Sequence, residues 1–322
     1  MPDQFLYILL FVAGFVVLIK GAQWLVDGAS SLARCLGVSD MLIGLTVVAL
    51  GTSMPELFID TTAAVRGNTG LVIGSLVGAN IANILLILGM SAVIYPLAIN
   101  HNTSWKEIPY VLLAALVVFV MGNDGFFNGG GGSFIGRSDG LVFIAFLIIF
   151  LYYLASIAGE ESRERVALCA RKNIRASLLQ VAGGLVGLFF GSRFVVSAAL
   201  YFAARLDVSE NVVGLTIVSF GSTLPEMTAS VVAALKKRSD LALGNIIGSN
   251  IVNIFLIMGI SAIIRPLPLR PEDNFAIGVA ITASILLFLS AFVGKRSVID
   301  RWIGVVFFFL YLFYIVMAIR VG

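Results

Sequence analysis

The sequence repeats itself at a constant offset of 170 residues, and this feature limits the possible folds more than any other. Residues Gly51–Glu56 read GTSMPE, and residues Gly221–Glu226 read GSTLPE. Other positions coincide at the same offset: Gly74, Gly78, Asn80, Asn83, Gly89 and Pro96 match Gly244, Gly248, Asn250, Asn253, Gly259 and Pro266. A match without gaps over this length indicates a duplicated unit, so the two halves should fold alike.

Composition places both halves in a lipid bilayer. Of the 322 residues, 59% are hydrophobic and only 12% are charged, whereas soluble domains carry about 25% charged residues. A membrane-spanning helix needs about 20 apolar residues. The sequence therefore predicts an all-α polytopic membrane protein with ten transmembrane helices, over residues 5–29, 40–65, 70–94, 107–122, 139–158, 177–204, 210–235, 241–264, 275–293 and 301–319.

Five spans in each half is an odd number, so the second half should enter the membrane from the opposite side. The prediction is two inverted five-helix repeats, 1–158 and 177–322, joined by a cytoplasmic linker over 159–176. Inverted repeats are typical of secondary transporters, which bind substrate near the membrane midplane. With both termini extracellular, the inner loops hold thirteen lysines and arginines and the outer loops six, which agrees with the positive-inside rule.

The repeated motif places a proline and a glutamate inside the second span of each half. Pro55 and Pro225 each lack an amide hydrogen and should kink their helices. We expect the kinks to free the backbone carbonyls around Ala49 and Ser219, because irregular backbone in a membrane lines protein or a water-filled cavity. The motif supplies hydroxyls and carboxylates to this pocket: Thr52, Ser53, Ser222, Thr223, Glu56 and Glu226.

Two buried carboxylates that meet at one place require neutralisation. A carboxylate at mid-span costs about 3 kcal/mol on insertion scales, and two of them repel each other. Protonation or basic partners would be the structural explanation, but only Lys20 and Arg193 lie inside predicted spans, and they do not share the repeat offset. A bound cation neutralises both carboxylates and explains why each half carries one.

The third span of each half adds amides to this pocket. Asn83 and Asn253 share a helical face with Ala79 and Ser249, four residues earlier. The neighbouring glycines are interpreted as sites of close helix packing. Carboxylate, hydroxyl, amide and carbonyl oxygens, without sulfur or imidazole, are typical of a hard-cation site, and six to eight such oxygens suit Ca²⁺.

These paired motifs resemble the α-repeats of the Ca²⁺/cation antiporter superfamily, specifically its Na⁺/Ca²⁺ exchanger branch. The resemblance covers both halves and implies ten transmembrane helices that exchange Na⁺ for Ca²⁺ by alternating access. It implies that both ions share Glu56 and Glu226 and that the Ala49 and Ser219 carbonyls help to hold Na⁺. It further implies that seven side chains line the sites: Thr52, Ser53, Ser222, Thr223, Ser249, Asn83 and Asn253.

The sequence departs from this family pattern at two positions. Ala79 stands where such exchangers commonly carry serine, which puts one Na⁺ ligand in doubt. Asn253 stands where some prokaryotic relatives are acidic, so the site holds two central carboxylates. Asp60, one turn beyond Glu56, has Ser230 as its counterpart; it either lines an entry path or lies at a wet helix end.

Other functions remain as alternatives. Glutamates can take protons in place of Na⁺, so an H⁺/Ca²⁺ exchanger is the nearest alternative, and a passive cation channel is a less favoured one. An intramembrane hydrolase would need a base near Ser53 or Ser222, and no histidine lies in a predicted span. We therefore expect no enzyme activity, no cofactor, no nucleic acid and no protein partner. The expected partners are Ca²⁺, Na⁺ or H⁺, and the lipid of a plasma membrane.

Overall fold

The computed structural model describes residues 2–125, 132–164, 171–205, 219–293 and 298–321, and most of them are helical. Eight described helices are long and apolar enough to cross a membrane: Gln4–Leu36, Thr69–Ile94, Thr103–Gly122, Arg137–Gly159, Ile174–Arg205, Ser239–Ile264, Glu272–Ser290 and Arg301–Ala318. A ninth candidate is a pair of helices, Asp40–Thr52 and Met54–Arg66, bent by 48° at the break between them. The chain is thus a multi-pass, helical membrane protein.

The first half contains eight α-helices and two short strands: α1 Pro2–Leu36, α2 Asp40–Ile43, α3 Ala49–Thr52, α4 Met54–Arg66, α5 Thr69–Ile81, α6 Gly89–Ile94, β1 Leu97–Ala98, α7 Ile108–Gly122, β2 Phe134–Ile135 and α8 Arg137–Glu164. The described part of the second half contains α9 Arg171–Arg205, α10 Ser219–Ser222, α11 Leu224–Leu235, α12 Ser239–Ile251, α13 Gly259–Ile264, β3 Leu267–Pro268, α14 Pro271–Ser290, β4 Val298–Ile299 and α15 Arg301–Val321. Four described segments are π-helical: Gly44–Val48, Ala82–Leu88, Thr103–Glu107 and Val252–Met258.

The sequence repeat is also a repeat of secondary structure. Helix α5 and helix α12 begin and end 170 residues apart, as do α6 and α13, and so do the π-helical segments Ala82–Leu88 and Val252–Met258. The predicted span 210–235 is described only from Ser219 onward, because residues 206–218 lie outside the described residues. The predicted linker 159–176 is helical at both described ends, since α8 continues to Glu164 and α9 begins at Arg171.

The third span of each half forms the centre of the molecule. The apolar windows of Thr69–Ile94 and Ser239–Ile264 are 78% and 83% buried, whereas those of the other six long helices are 17–39% buried. The outer helices expose large apolar side chains, among them Phe5, Tyr152 and Phe309. Such a surface suits contact with lipid rather than with water.

The two halves are interlocked. Strand β1 pairs antiparallel with β4, and β2 pairs antiparallel with β3, so both sheets join one half to the other. A Cβ atom on Gly140 would lie 2.6 Å from the carbonyl oxygen of Gly259, and one on Gly304 would lie 2.6 Å from that of Gly89. The last helix of each half therefore packs with its backbone close to the third span of the other half.

Glycines also bring helices α1 and α9 into close contact. A Cβ atom on Gly184 would lie 2.6 Å from the backbone nitrogen of Leu25, and one on Gly21 would lie 2.9 Å from the carbonyl oxygen of Gly184. Gly244 similarly approaches Gly44, where a Cβ atom would lie 2.9 Å from the facing Cα. The expected close-packing role of the glycines is confirmed at Gly244 and Gly248, but it is wrong at Gly74 and Gly78, where an added Cβ atom would meet nothing within 4 Å in the described part of the chain.

Candidate cation site

The bend in the second span of each half lies next to the repeated glutamate. Helix α3 ends at Thr52 and α4 begins at Met54, while Ser53 between them has φ −83° and ψ 3°. Thr223 takes nearly the same conformation, with φ −84° and ψ −1°, between α10 and α11. Each proline thus lies in the first turn of a helix, where a missing N–H is tolerated. Each glutamate lies in that first turn too, near the positive end of the helix dipole.

The two glutamates are buried and interact with each other. Glu56 and Glu226 are each 2% exposed, and their carboxylates lie close enough to repel. The hydroxyl of Ser53 donates a hydrogen bond to Oε1 of Glu226 at 3.2 Å. The Ser222 side chain in turn lies beside the Glu56 carboxylate. The motif of the first half therefore contacts the carboxylate of the second half directly.

Thr52 is held by a residue that the sequence analysis did not identify. Its hydroxyl donates to Oδ1 of Asn245 at 3.1 Å. The Asn245 amide in turn donates to Oγ of Ser230 at 2.9 Å and to the backbone oxygen of Glu226 at 3.2 Å. Asn245 lies four residues before Ser249 and eight before Asn253. This helical spacing places it on the same face as these two predicted ligands, which is a signal that the sequence contains.

The amides of the third spans form a second connection across the halves. Nδ2 of Asn253 donates to Oδ1 of Asn80 at 3.0 Å, and Nδ2 of Asn80 donates to the backbone oxygen of Asn250 at 3.1 Å. Asn83 and Asn253 lie in π-helical segments, which are frequent at functional sites. Asn80 was noted only as part of the repeat, and its role in orienting Asn253 was missed.

The structure corrects the expectation for the Ala49 carbonyl. The backbone N–H of Ser53 donates to this oxygen at 3.1 Å, and the Thr52 hydroxyl lies 3.3 Å from it. The prediction that the kink frees this carbonyl is wrong, because the bend falls at Ser53 and leaves the last turn of α3 closed. Ser219 begins helix α10, but its side chain lies outside the described residues. Thr223 is buried beside the second bend.

Six oxygen atoms of the predicted ligands are buried without a hydrogen-bond partner in the described part of the chain. They are Oε1 and Oε2 of Glu56, Oε2 of Glu226, Oδ1 of Asn83, Oδ1 of Asn253 and Oγ of Ser249. Buried polar atoms without partners are rare in folded proteins and call for an explanation such as an ion. Among the described residues no three His, Cys, Asp or Glu side chains converge on one point, so such an ion would depend on two carboxylates and on neutral oxygens.

Known proteins match this chain over nearly its whole length. The model of the family described as sodium/calcium exchanger protein matches residues 6–155 and 176–320. The sodium/calcium exchanger MaX1 of Methanosarcina acetivorans is 32% identical to this chain, and the match covers 96% of this chain and 97% of MaX1. The inner membrane protein YrbG of Escherichia coli is 31% identical over 81% of each chain.

A solved structure leads to the same family. The sodium-calcium exchanger NCX_Mj, soaked with zero Na⁺ and Ca²⁺, is similar to this chain with a TM-score of 0.84 and 34% sequence identity, and the match covers 98% of this chain and 99% of that one. The repeated motifs, the buried pair of glutamates and these matches agree, and the chain belongs to the sodium/calcium exchanger family.

Proposed function

We propose that this protein is a secondary active antiporter that exchanges Na⁺ for Ca²⁺ across the membrane by alternating access. The observation that carries the proposal is the set of six buried oxygens without partners around Glu56 and Glu226. Ca²⁺ takes six to eight oxygen ligands of these chemical types. Membership in the exchanger family and the names of the relatives MaX1 and NCX_Mj support the identity of the two ions.

The two ions compete for the same oxygens. Ca²⁺ that bridges the two glutamates is displaced when Na⁺ ions occupy overlapping positions on the same side chains. Two carboxylates balance one Ca²⁺ or two Na⁺, and either load removes the charge that would oppose movement through the low-dielectric interior. The protein therefore changes between outward- and inward-facing states only when one of the two loads is bound.

The remaining ligands complete the site around this pair. Thr52, Ser53, Ser222 and Thr223 contribute hydroxyls from the two bends, and Asn83, Asn253 and Ser249 contribute oxygens from the third spans. The carbonyls of Ala49 and Ser219 help to hold Na⁺; at Ala49 this requires the Thr52 hydroxyl, 3.3 Å away, to give its hydrogen to Asn245, so that only the Ser53 N–H occupies the oxygen. Asn245 and Asn80 position these ligands, since each bonds directly to one of them.

The proposed architecture is ten transmembrane helices arranged as two inverted five-helix repeats. Helices α10 and α11 belong to the tenth proposed span, 210–235, of which the structure describes the part from Ser219 onward. The crossed pairing of the four strands supports the arrangement, because a two-fold relation between the halves exchanges β1 with β3 and β2 with β4. The excess of basic residues in the predicted inner loops supports the orientation with both termini outside, in what we propose is the plasma membrane.

Helices α1 and α9 form the gate in this proposal. They pack closely through glycines, including Gly21 and Gly191, and glycines permit helices to slide past each other with little steric resistance. A cavity of about 200 Å³ lies between α9 and the two bends, lined by Thr52, Pro55, Leu185, Phe189 and Pro225 among others. The pair can therefore shift against the core beside the ion site.

The test is uptake of radiolabelled Ca²⁺ into proteoliposomes that contain the purified protein. Vesicles loaded with Na⁺ are compared with vesicles loaded with choline at the same pH. Uptake that requires internal Na⁺ supports the proposal. Uptake that is indifferent to Na⁺ and driven by a proton gradient would instead assign the protein as an H⁺/Ca²⁺ exchanger, and uptake without any counter-ion gradient would assign it as a channel.

A further inference from the structure

Asp60 is a buried carboxylate that the central site does not use. It is 0% exposed, so the interpretation of a wet helix end is wrong. It lies four residues after Glu56 on helix α4, and residues at this spacing share one helical face. Its Oδ2 accepts a hydrogen bond from the hydroxyl of Ser75 at 3.4 Å, while its Oδ1 has no partner among the described residues.

The repeat shows that the fold does not require a carboxylate at this position. The counterparts of Asp60 and Ser75 in the second half are Ser230 and Asn245. These two form a neutral pair, in which the Asn245 amide donates to the Ser230 hydroxyl at 2.9 Å. The first half has a carboxyl group where the second half has a satisfied neutral hydrogen bond. A structural role shared by both halves cannot explain the carboxylate.

The charge of Asp60 has no basic partner in the described part of the chain. The two ion pairs found there join Lys236 to Asp27 and Arg238 to Asp40. An ionisable side chain inside a membrane is costly, and it commonly marks an ion pathway. The Asp60 carboxylate is close enough to act electrostatically on that of Glu56, but among the described residues no three acidic side chains form one metal site, so we place Asp60 beside the central pair rather than within it.

We propose that Asp60 and Ser75 form a second cation subsite, one helical turn from Glu56, that binds one Na⁺ during exchange. One carboxylate balances one monovalent cation, whereas a Ca²⁺ ion there would keep an uncompensated positive charge. Carboxylate and hydroxyl oxygens are ligands that hard cations prefer. This inference rests on the proposed Na⁺/Ca²⁺ exchange and extends it, because a third Na⁺ then has a carboxylate of its own.

The test replaces the pair with the neutral pair of the other half, in the double variant D60S/S75N. Na⁺-driven Ca²⁺ uptake is measured in proteoliposomes as a function of Na⁺ concentration. A Hill coefficient cannot exceed the number of coupled sites, so we expect the coefficient for Na⁺ to fall by about one. The KM for Ca²⁺ should stay within about twofold of the wild-type value, because the central ligands are unchanged. An unchanged Na⁺ coefficient would overturn the proposal.

A second variant tests Ser75 as a ligand, and a binding measurement tests whether the subsite holds Na⁺ without the central glutamates. Ser75→Ala removes one neutral ligand and should raise the half-saturating Na⁺ concentration without loss of folded protein. Equilibrium binding of radiolabelled Na⁺ to the purified E56Q/E226Q protein should detect a site that is lost when D60S/S75N is added. If the E56Q/E226Q protein itself binds no radiolabelled Na⁺, the proposed subsite is also refuted. Failure of the wild-type protein to couple Ca²⁺ uptake to Na⁺ would instead reject the proposed function itself.

Discussion

Nζ of Lys236 lies 2.6 Å from Oδ1 of Asp27 and 3.4 Å from the carbonyl oxygen of Gln23, so this side chain joins the end of helix α11 to helix α1. Helix α11 carries Glu226 in its first turn. The two charged side chains are 31% and 57% exposed, and exposed ion pairs of this kind contribute about 0–1 kcal/mol. The pair is therefore too weak to hold the fold, but about 1 kcal/mol is enough to bias the position of helix α1 in the proposed gate.

We predict that Asp27→Asn changes the rate of Na⁺-driven Ca²⁺ uptake by up to about fivefold, because about 1 kcal/mol shifts a two-state equilibrium by that factor. The charge-exchanged double variant D27K/K236D should return the rate toward the wild-type value. The midpoint of thermal unfolding should change little in either variant. Equal rates in the wild type and in Asp27→Asn would show that the ion pair does not control the gate.

Removal of one central charge should stop Ca²⁺ transport. We predict that Glu56→Gln and Glu226→Gln each lower Ca²⁺ uptake by at least about 100-fold, because one carboxylate cannot balance a divalent ion in a buried site. Both variants should still fold, since the replacement amide has nearly the same shape and relieves the repulsion between the carboxylates. Uptake and size-exclusion profiles of the purified variants are the measurements.

The matched control for these variants is Glu107→Gln. Glu107 is a buried carboxylate, 3% exposed, that accepts a hydrogen bond from the hydroxyl of Tyr153, outside the predicted ion site. We expect this variant to lower the thermal stability while the KM for Ca²⁺ remains within about twofold of the wild-type value. A loss of transport as large as that of Glu56→Gln would mean that any buried carboxylate is essential, and the assignment of the site would be wrong.

A serine at position 79 should improve Na⁺ binding. Ala79 is buried and occupies the position that corresponds to Ser249 in the repeat, and the Ser249 hydroxyl has no partner among the described residues. We predict that Ala79→Ser lowers the half-saturating Na⁺ concentration and that Ser249→Ala raises it, each by several-fold, because one ligand is gained or lost. The Na⁺ dependence of Ca²⁺ uptake measures both variants. A higher half-saturating Na⁺ concentration in Ala79→Ser together with a lower one in Ser249→Ala would show that the serine of the third span is not a Na⁺ ligand.

The fold was predictable to the extent that it depends on local signals. Long apolar segments and an exact numerical repeat predict where helices lie, and the helices α5 and α12 indeed share the offset of 170 residues. The crossed pairing of β1 with β4 was not predictable, because two-residue strands carry almost no sequence pattern. The π-helical segments were missed for a similar reason, since no residue type marks them.

The candidate site was predictable in its charges but not in its hydrogen bonds. Glu56 and Glu226 stand out because a buried carboxylate in a membrane is rare. The Ala49 carbonyl was expected to be free because the proline was placed in the middle of a continuous helix, whereas the helix restarts at Met54. The helical spacing places Asn245 on the face of Ser249 and Asn253, but its role was missed because its partners Thr52 and Ser230 lie in other segments that the sequence alone does not bring together.

Asn245 provides the last test, since it connects three elements of the site through one amide. We predict that Asn245→Ala destabilises the protein by about 1–3 kcal/mol, because the hydroxyls of Thr52 and Ser230 lose a buried partner. We also expect a higher KM for Ca²⁺, because the backbone of Glu226 loses the amide that holds it. Thermal unfolding and Ca²⁺ uptake are measured on the same preparation.

The control for Asn245→Ala is Asn123→Ala. Asn123 and Asn274 exchange two amide hydrogen bonds, at 2.8 Å and 3.0 Å, between the end of α7 and the start of α14. Loss of this pair should lower stability by a similar amount, since the same type of bond is lost. The KM for Ca²⁺ should not change in Asn123→Ala, because this pair does not contact the ion site. If both variants change stability and KM alike, Asn245 stabilises the fold in general, and its role in positioning Glu226 is refuted.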